Sequence, residues 1–128
     1  MKPTWFSARF PPSRFAIEAE LRSAIWKAGF GDLWLSCARE EPPYECQGAW
    51  RGKKFTIEWE PANYLLLKLP EPNRDLLEAF EHLLQHRALA GYKNANGEVI
   101  VEWRVKDAEA RFQELQATGV SDLTRLNA

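Results

Sequence analysis

The sequence is poor in the side chains that most enzyme chemistry uses. Its 128 residues hold two histidines, His82 and His86, and two cysteines, Cys37 and Cys46. Two cysteines are too few for a disulfide scaffold, and a chain of this length can fold on an apolar core alone. Cys46 stands between Glu45 and Gln47, which offer no local cation to stabilise a thiolate. Both cysteines are therefore read as packed structural thiols, with one bridge between neighbouring strands left open.

An excess of charge of either sign is also missing. With 17 basic and 18 acidic side chains the net charge is −1, so no overall field recruits nucleic acid or an anionic membrane. No apolar run reaches the roughly 18 residues of a membrane span, and none of signal-peptide length accompanies Lys2, Arg9 and Arg14. The expectation is a soluble, cytoplasmic protein. Phosphate-cradling and catalytic motifs are absent as well: there is no Walker lysine, no GxSxG and no HExxH. Gly29-Phe30-Gly31 follows a predicted helix instead of opening one, the wrong context for binding phosphate.

Aromatic side chains, in contrast, are plentiful: six Trp, seven Phe and three Tyr in a composition 45% hydrophobic and 27% charged. That balance fits one globular domain over residues 1–128, with an aromatic and basic arm at 1–12 and a tail at 120–128 left open between fraying and docking Leu123 and Leu126 as a last turn.

Three amphipathic helices are expected. Pro11-Pro12-Ser13 starts the first, in which Ile17, Leu21, Ala24, Ile25 and Ala28 line one face before Gly29 stops it. The second runs from Asn73 to about Arg87 with Leu76, Leu77, Phe80, Leu83 and Leu84 as its stripe. Asp107 is expected to cap the third, which turns Phe112 and Leu115 inward and ends at Gly119.

Between the first two helices the period changes to two. Leu33–Cys37 and Tyr44–Trp50 read as strands, and in Lys54–Glu60 the residues Phe55, Ile57 and Trp59 alternate with Thr56, Glu58 and Glu60. Tyr64–Leu69 is nearly all apolar, as in a strand at a sheet centre. A hairpin follows around Asn94-Ala95-Asn96-Gly97, with Val99, Val101, Trp103 and Val105 sharing one face. The fold class expected is α+β, a mostly antiparallel sheet of about five to six strands with three helices in the order α-β-β-β-β-α-β-β-α, the helices packed on one face.

The residues that could carry chemistry also have plainer readings. Glu78, His82 and His86, spaced by four, would share one side of the second helix and could meet an ion, but an exposed polar face explains them better. Glu40 with Glu41, Glu58 with Glu60 and Glu98 with Glu102 are carboxylate pairs, and the strand side that carries Glu58 and Glu60 is predicted to be wet. No catalytic residue, metal or cofactor is assigned.

The leading expectation is a non-enzymatic module binding another protein, of the adaptor, secretion chaperone, immunity protein or inhibitor type known among small bacterial proteins. Its anchors are Trp5, Trp50, Trp59 and Trp103, in arm or sheet positions open to facing outward. Second stands a motif-poor enzyme using His82, His86 or the glutamates. Third is a single-strand nucleic-acid binder using the arm's rings with Arg9, Arg14, Arg51, Lys53 and Lys54, which the overall charge does not favour. No membrane partner is expected, and homo-oligomerisation is left open.

Overall fold

The computed structural model describes residues 34–37, 43–60, 63–84, 86–104 and 106–127. The expected arm, the first helix, and with them Trp5, Arg9 and Arg14, lie outside these residues, as do Glu40 and Glu41. In chain order the elements are β1 (Trp34–Cys37), β2 (Tyr44–Trp50), β3 (Lys53–Glu60), β4 (Tyr64–Leu69), α1 (Arg74–Leu84), β5 (Ala90–Lys93), β6 (Val99–Arg104), α2 (Ala108–Thr118) and β7 (Ser121–Arg125). The strands form one open sheet in the order β1-β2-β3-β4-β6-β5-β7, antiparallel at every described pairing. The protein is thus α+β with an antiparallel sheet, one strand larger than expected.

Turn chemistry sets the register of the meander. Arg51 and Gly52 both take positive φ, 51° and 76°, between the paired residues Trp50 and Lys53. This is the two-residue loop whose twist matches that of a hairpin, and glycine accepts its second position without strain. The register then places Cys46, Ile57, Leu67 and Val101 across from one another in sequence from β2 to β6. Side-chain alternation carries each of these rows onto a single face.

On that face Phe55, Ile57, Trp59, Leu65, Leu67, Val101 and Trp103 pack beneath Leu76, Phe80 and Leu84 of α1. Phe80 stands edge-on to Phe55 at 5.9 Å between ring centroids and tilted to Trp103 at 6.5 Å. Asn73 caps α1, its Oδ1 accepting from Leu76 N at 3.1 Å. The helix ends at Leu84, earlier than the periodicity predicts, so His86 falls beyond it.

The alternate residues face the other way. Leu66, Tyr92 and Ile100 form a second cluster with Phe112 and Leu115 of α2. The expectation that the helices share one face is therefore corrected: α1 and α2 seal opposite faces. Asp107 precedes α2 in a left-handed conformation, φ 54°, without the expected side-chain cap, while Gly119 closes it as predicted. The tail, expected either to fray or to dock as a last turn, is instead β7, paired with β5, and Leu126 N donates to Leu89 O at 3.0 Å beyond it. Polar residues at Ser121, Asp122 and Thr124 hide this strand from a pattern search, because β7 buries little.

Candidate functional site

Of the tryptophans named as surface anchors, the three among the described residues do not present that surface. Trp59 and Trp103 are 0% exposed and Trp50 8%, all within the core under α1. Alternation in β3 and β6 turns them inward with Phe55 and Val101, and Trp103 Nε1 donates to His86 O at 3.0 Å. The count of rings suggested a surplus, yet a sheet covered on both faces has two cores to fill.

The histidines are likewise not gathered into a site. His82 and His86 are exposed, the end of α1 at Leu84 breaks their helical spacing, and Glu78 lies near Arg74 at 3.9 Å. Among the described residues no three His, Cys, Asp or Glu side chains are placed to hold a metal ion. Cys46 is buried and disulfide-bonded, a correction to its reading as a thiol, and the register sets Cys37 opposite it.

The carboxylates on the second sheet face are engaged, where alternation predicted solvent. Glu58 accepts from Tyr64 Oη at 2.8 Å and from Lys68 Nζ at 3.0 Å, while Glu60 accepts from Asn63 Nδ2 at 2.9 Å. Arg104 lies over the Tyr64 ring, 5.0 Å from its centroid, and links this group to Glu102.

Glu102 is wholly buried between β6 and α2. Its Oε2 accepts from Arg111 Nε at 2.8 Å and from Arg104 Nη2 at 2.8 Å, and its Oε1 from Tyr92 Oη at 2.9 Å. Burial pushes this carboxyl up, but the hydrogen bonds from Arg111 and Arg104 outweigh it and hold the group below the usual carboxylate value. Burial, then the Glu102 charge, pushes the Tyr92 phenol up. Arg111 belongs to α2 and Glu102 to β6, so the cluster fastens the helix to the sheet, while Glu114 pairs with Arg111 along the helix. With every lone pair engaged by a fixed donor, it is built for holding rather than for proton transfer.

A more open arrangement occurs where the β2–β3 turn meets the start of α1. The β3–β4 hairpin sets Thr56 opposite Lys68, and so returns the chain to the end of the sheet where β3 began. Trp50, Leu69, Pro70 and Pro72 line a cleft of about 650 Å³ there. Arg51 and Lys53 from the turn, Lys54 beside it and Arg74 from the first turn of α1 stand around this cleft, with Glu71 and Asp75 as the opposing acids. All four cations are exposed. Lys53 meets Glu71 at 3.3 Å, and the Arg51 guanidinium covers the Trp50 ring at 4.4 Å from its centroid.

Of the basic residues singled out in the sequence, the structure thus brings Arg51, Lys53 and Lys54 together. Arg74 was missed. Counting strand lengths through the β3–β4 hairpin was the signal available for it, since two strands of similar length bring their outer ends together.

No family model, no curated protein and no solved structure matches this chain.

Proposed function

We propose that the chain is a non-enzymatic protein-binding module that takes an acidic segment of its partner in the cleft at the β2–β3 turn. The observation that carries this reading is the convergence of Arg51, Lys53, Lys54 and Arg74 on one concavity that Pro70 and Pro72 also line. Cations around it steer and select a carboxylate-rich segment, and the exposed rings of Pro70 and Pro72 give its apolar atoms somewhere to lie.

The nucleic-acid reading uses the same cations but needs exposed rings on which bases stack. Among the described residues the ring that lines this cleft is Trp50, 8% exposed and covered by Arg51. Carboxylates need no such platform, so an acidic peptide fits this surface better.

Fluorescence anisotropy with a labelled peptide of glutamate and serine, against one of serine alone, tests the reading. The acidic peptide binds and the neutral one does not. Lys53→Glu with Arg74→Glu weakens binding by about fivefold or more at low salt, as loss of exposed ion pairs predicts. Rising salt weakens the parent in the same direction. Equal binding of both peptides, no response to the double reversal, or preference for a single-stranded oligonucleotide overturns it.

A further inference from the structure

We infer that Asn96 is a site of spontaneous covalent modification, in which its side-chain amide is lost to attack by the backbone nitrogen of Gly97 and a carboxylate is left in the β5–β6 turn. Asparagine is chemically labile where the next backbone nitrogen can reach its side chain. The chain has five asparagines, Asn63, Asn73, Asn94, Asn96 and Asn127. Four of their side chains are held. Asn63 Nδ2 donates to Glu60 at 2.9 Å, Asn73 Oδ1 caps α1, and Asn127 Oδ1 accepts from Arg125 Nε at 2.8 Å. Asn94 is tied at both ends of its amide: Oδ1 accepts from Asn96 N at 3.0 Å and from Glu98 N at 2.9 Å, and Nδ2 donates to Glu98 at 3.0 Å. The turn is therefore braced by Asn94, which leaves the exposed Asn96 side chain with no hydrogen bond among the described residues.

The residue that follows separates Asn96 from the others a second time. Tyr64, Arg74, Ala95 and Ala128 each carry a Cβ beside the nitrogen that would attack, and Gly97 does not. Gly97 is exposed, takes φ 80°, and has no described atom within 4 Å of where a Cβ would stand, so the closing ring is not crowded from that side. One contact opposes the attack, since Gly97 N donates to Asn94 O at 3.0 Å and must let go first. A single backbone hydrogen bond of ordinary net strength slows the reaction by about fivefold against the unfolded chain.

A solvent base takes the Gly97 amide proton, and the nitrogen attacks Asn96 Cγ. The new N–Cγ bond closes an imide ring, and the Cγ–Nδ2 bond breaks as ammonia leaves with a proton from water. Water then opens the ring, giving aspartate when the N–Cγ bond is cut and isoaspartate when the original peptide bond is cut instead. Water is consumed and ammonia released, with no oxidant or reductant. Both products place a carboxylate in the same turn as Glu98. Isoaspartate also adds a methylene to a turn fastened by Asn94 N on Glu98 O, next to the paired Lys93 and Val99. The β5–β6 end of the sheet thereby loosens as the molecule ages.

Peptide mass mapping of the parent protein after storage in warm, mildly alkaline buffer tests this. Conversion at Asn96 is expected to run at least about tenfold faster than at the other four, because a held amide and a following side chain each slow it several-fold. The folded protein is expected to convert within about fivefold of the same protein in urea, as one hydrogen bond allows. An isoaspartate-specific carboxyl methyltransferase labels the stored parent but not stored Asn96→Ser, a change confined to an exposed side chain. Equal rates at Asn94 and Asn96, conversion in urea alone, or label retained by Asn96→Ser overturns the assignment.

Discussion

Replacing Trp103 by alanine is expected to lower the stability of the protein by about 3–5 kcal/mol, the range for emptying a large aromatic site in a packed core. The ring is 0% exposed, contacts Phe80 under α1, and holds the chain after that helix through its hydrogen bond to His86 O. Neighbouring rings are stiff and the sheet beneath is fixed by pairing on both sides, so the site cannot collapse to fill the space. Trp103→Phe keeps most of the volume and loses the indole donor to the partly buried His86 carbonyl, at about 1 kcal/mol. Urea unfolding of the two variants measures this. An alanine variant within about 1 kcal/mol of the parent, well under the usual core penalty, would show that Trp103 is peripheral.

The second large effect concerns Glu102. Exchanging it for glutamine keeps the shape but removes the charge that Arg104 and Arg111 share. Their side chains are 17% and 26% exposed, so water partly replaces the lost partner. The loss expected is about 2–3 kcal/mol, somewhat below that for a fully enclosed pair.

This contribution depends on pH in a definite direction. The carboxyl titrates lower in the folded protein than in the unfolded chain, where its value is about 4.3, so its stabilisation is complete well above that value. It disappears as pH falls through the lower folded value. Parent and Glu102→Gln therefore differ most near neutrality and converge in acid. A gap in unfolding free energy that stays constant from neutral to strongly acid solution would contradict the assignment of this charge.

These two residues also mark what was legible beforehand. Period-two alternation correctly turned Phe55, Ile57 and Trp59 to one buried face, and the apolar run of β4 fits its place fourth among seven strands. Alternation speaks only of the strand itself. It set Val101 and Trp103 on one face and so Glu102 on the other, without showing that this second face is also covered, because the partner that makes its burial tolerable, Arg111, sits on a helix nine residues later. The face each helix covers was equally hidden, since a helical stripe is the same on either side of a sheet. The cleft is a case of the same kind: Arg51, Lys53 and Lys54 are neighbours in sequence, but Arg74 reaches them only after a hairpin folds back.

Opposite placement of the helices has a consequence for how the molecule loosens. α1 sinks Leu76, Phe80 and Leu84 completely, whereas α2 sinks Leu115, leaves Ala108 and Phe112 only partly covered, and is held further by Arg111 on Glu102. The side carrying α2 and β7 should come away while the other side stays shut, as weakly anchored units do. Amide hydrogen exchange in α2 and β7 is then expected to outpace that in α1, β3 and β4, and uniform rates across both sides would disprove it. Such a protein frays from one flank and keeps its cleft, which belongs to the slower flank, in working order.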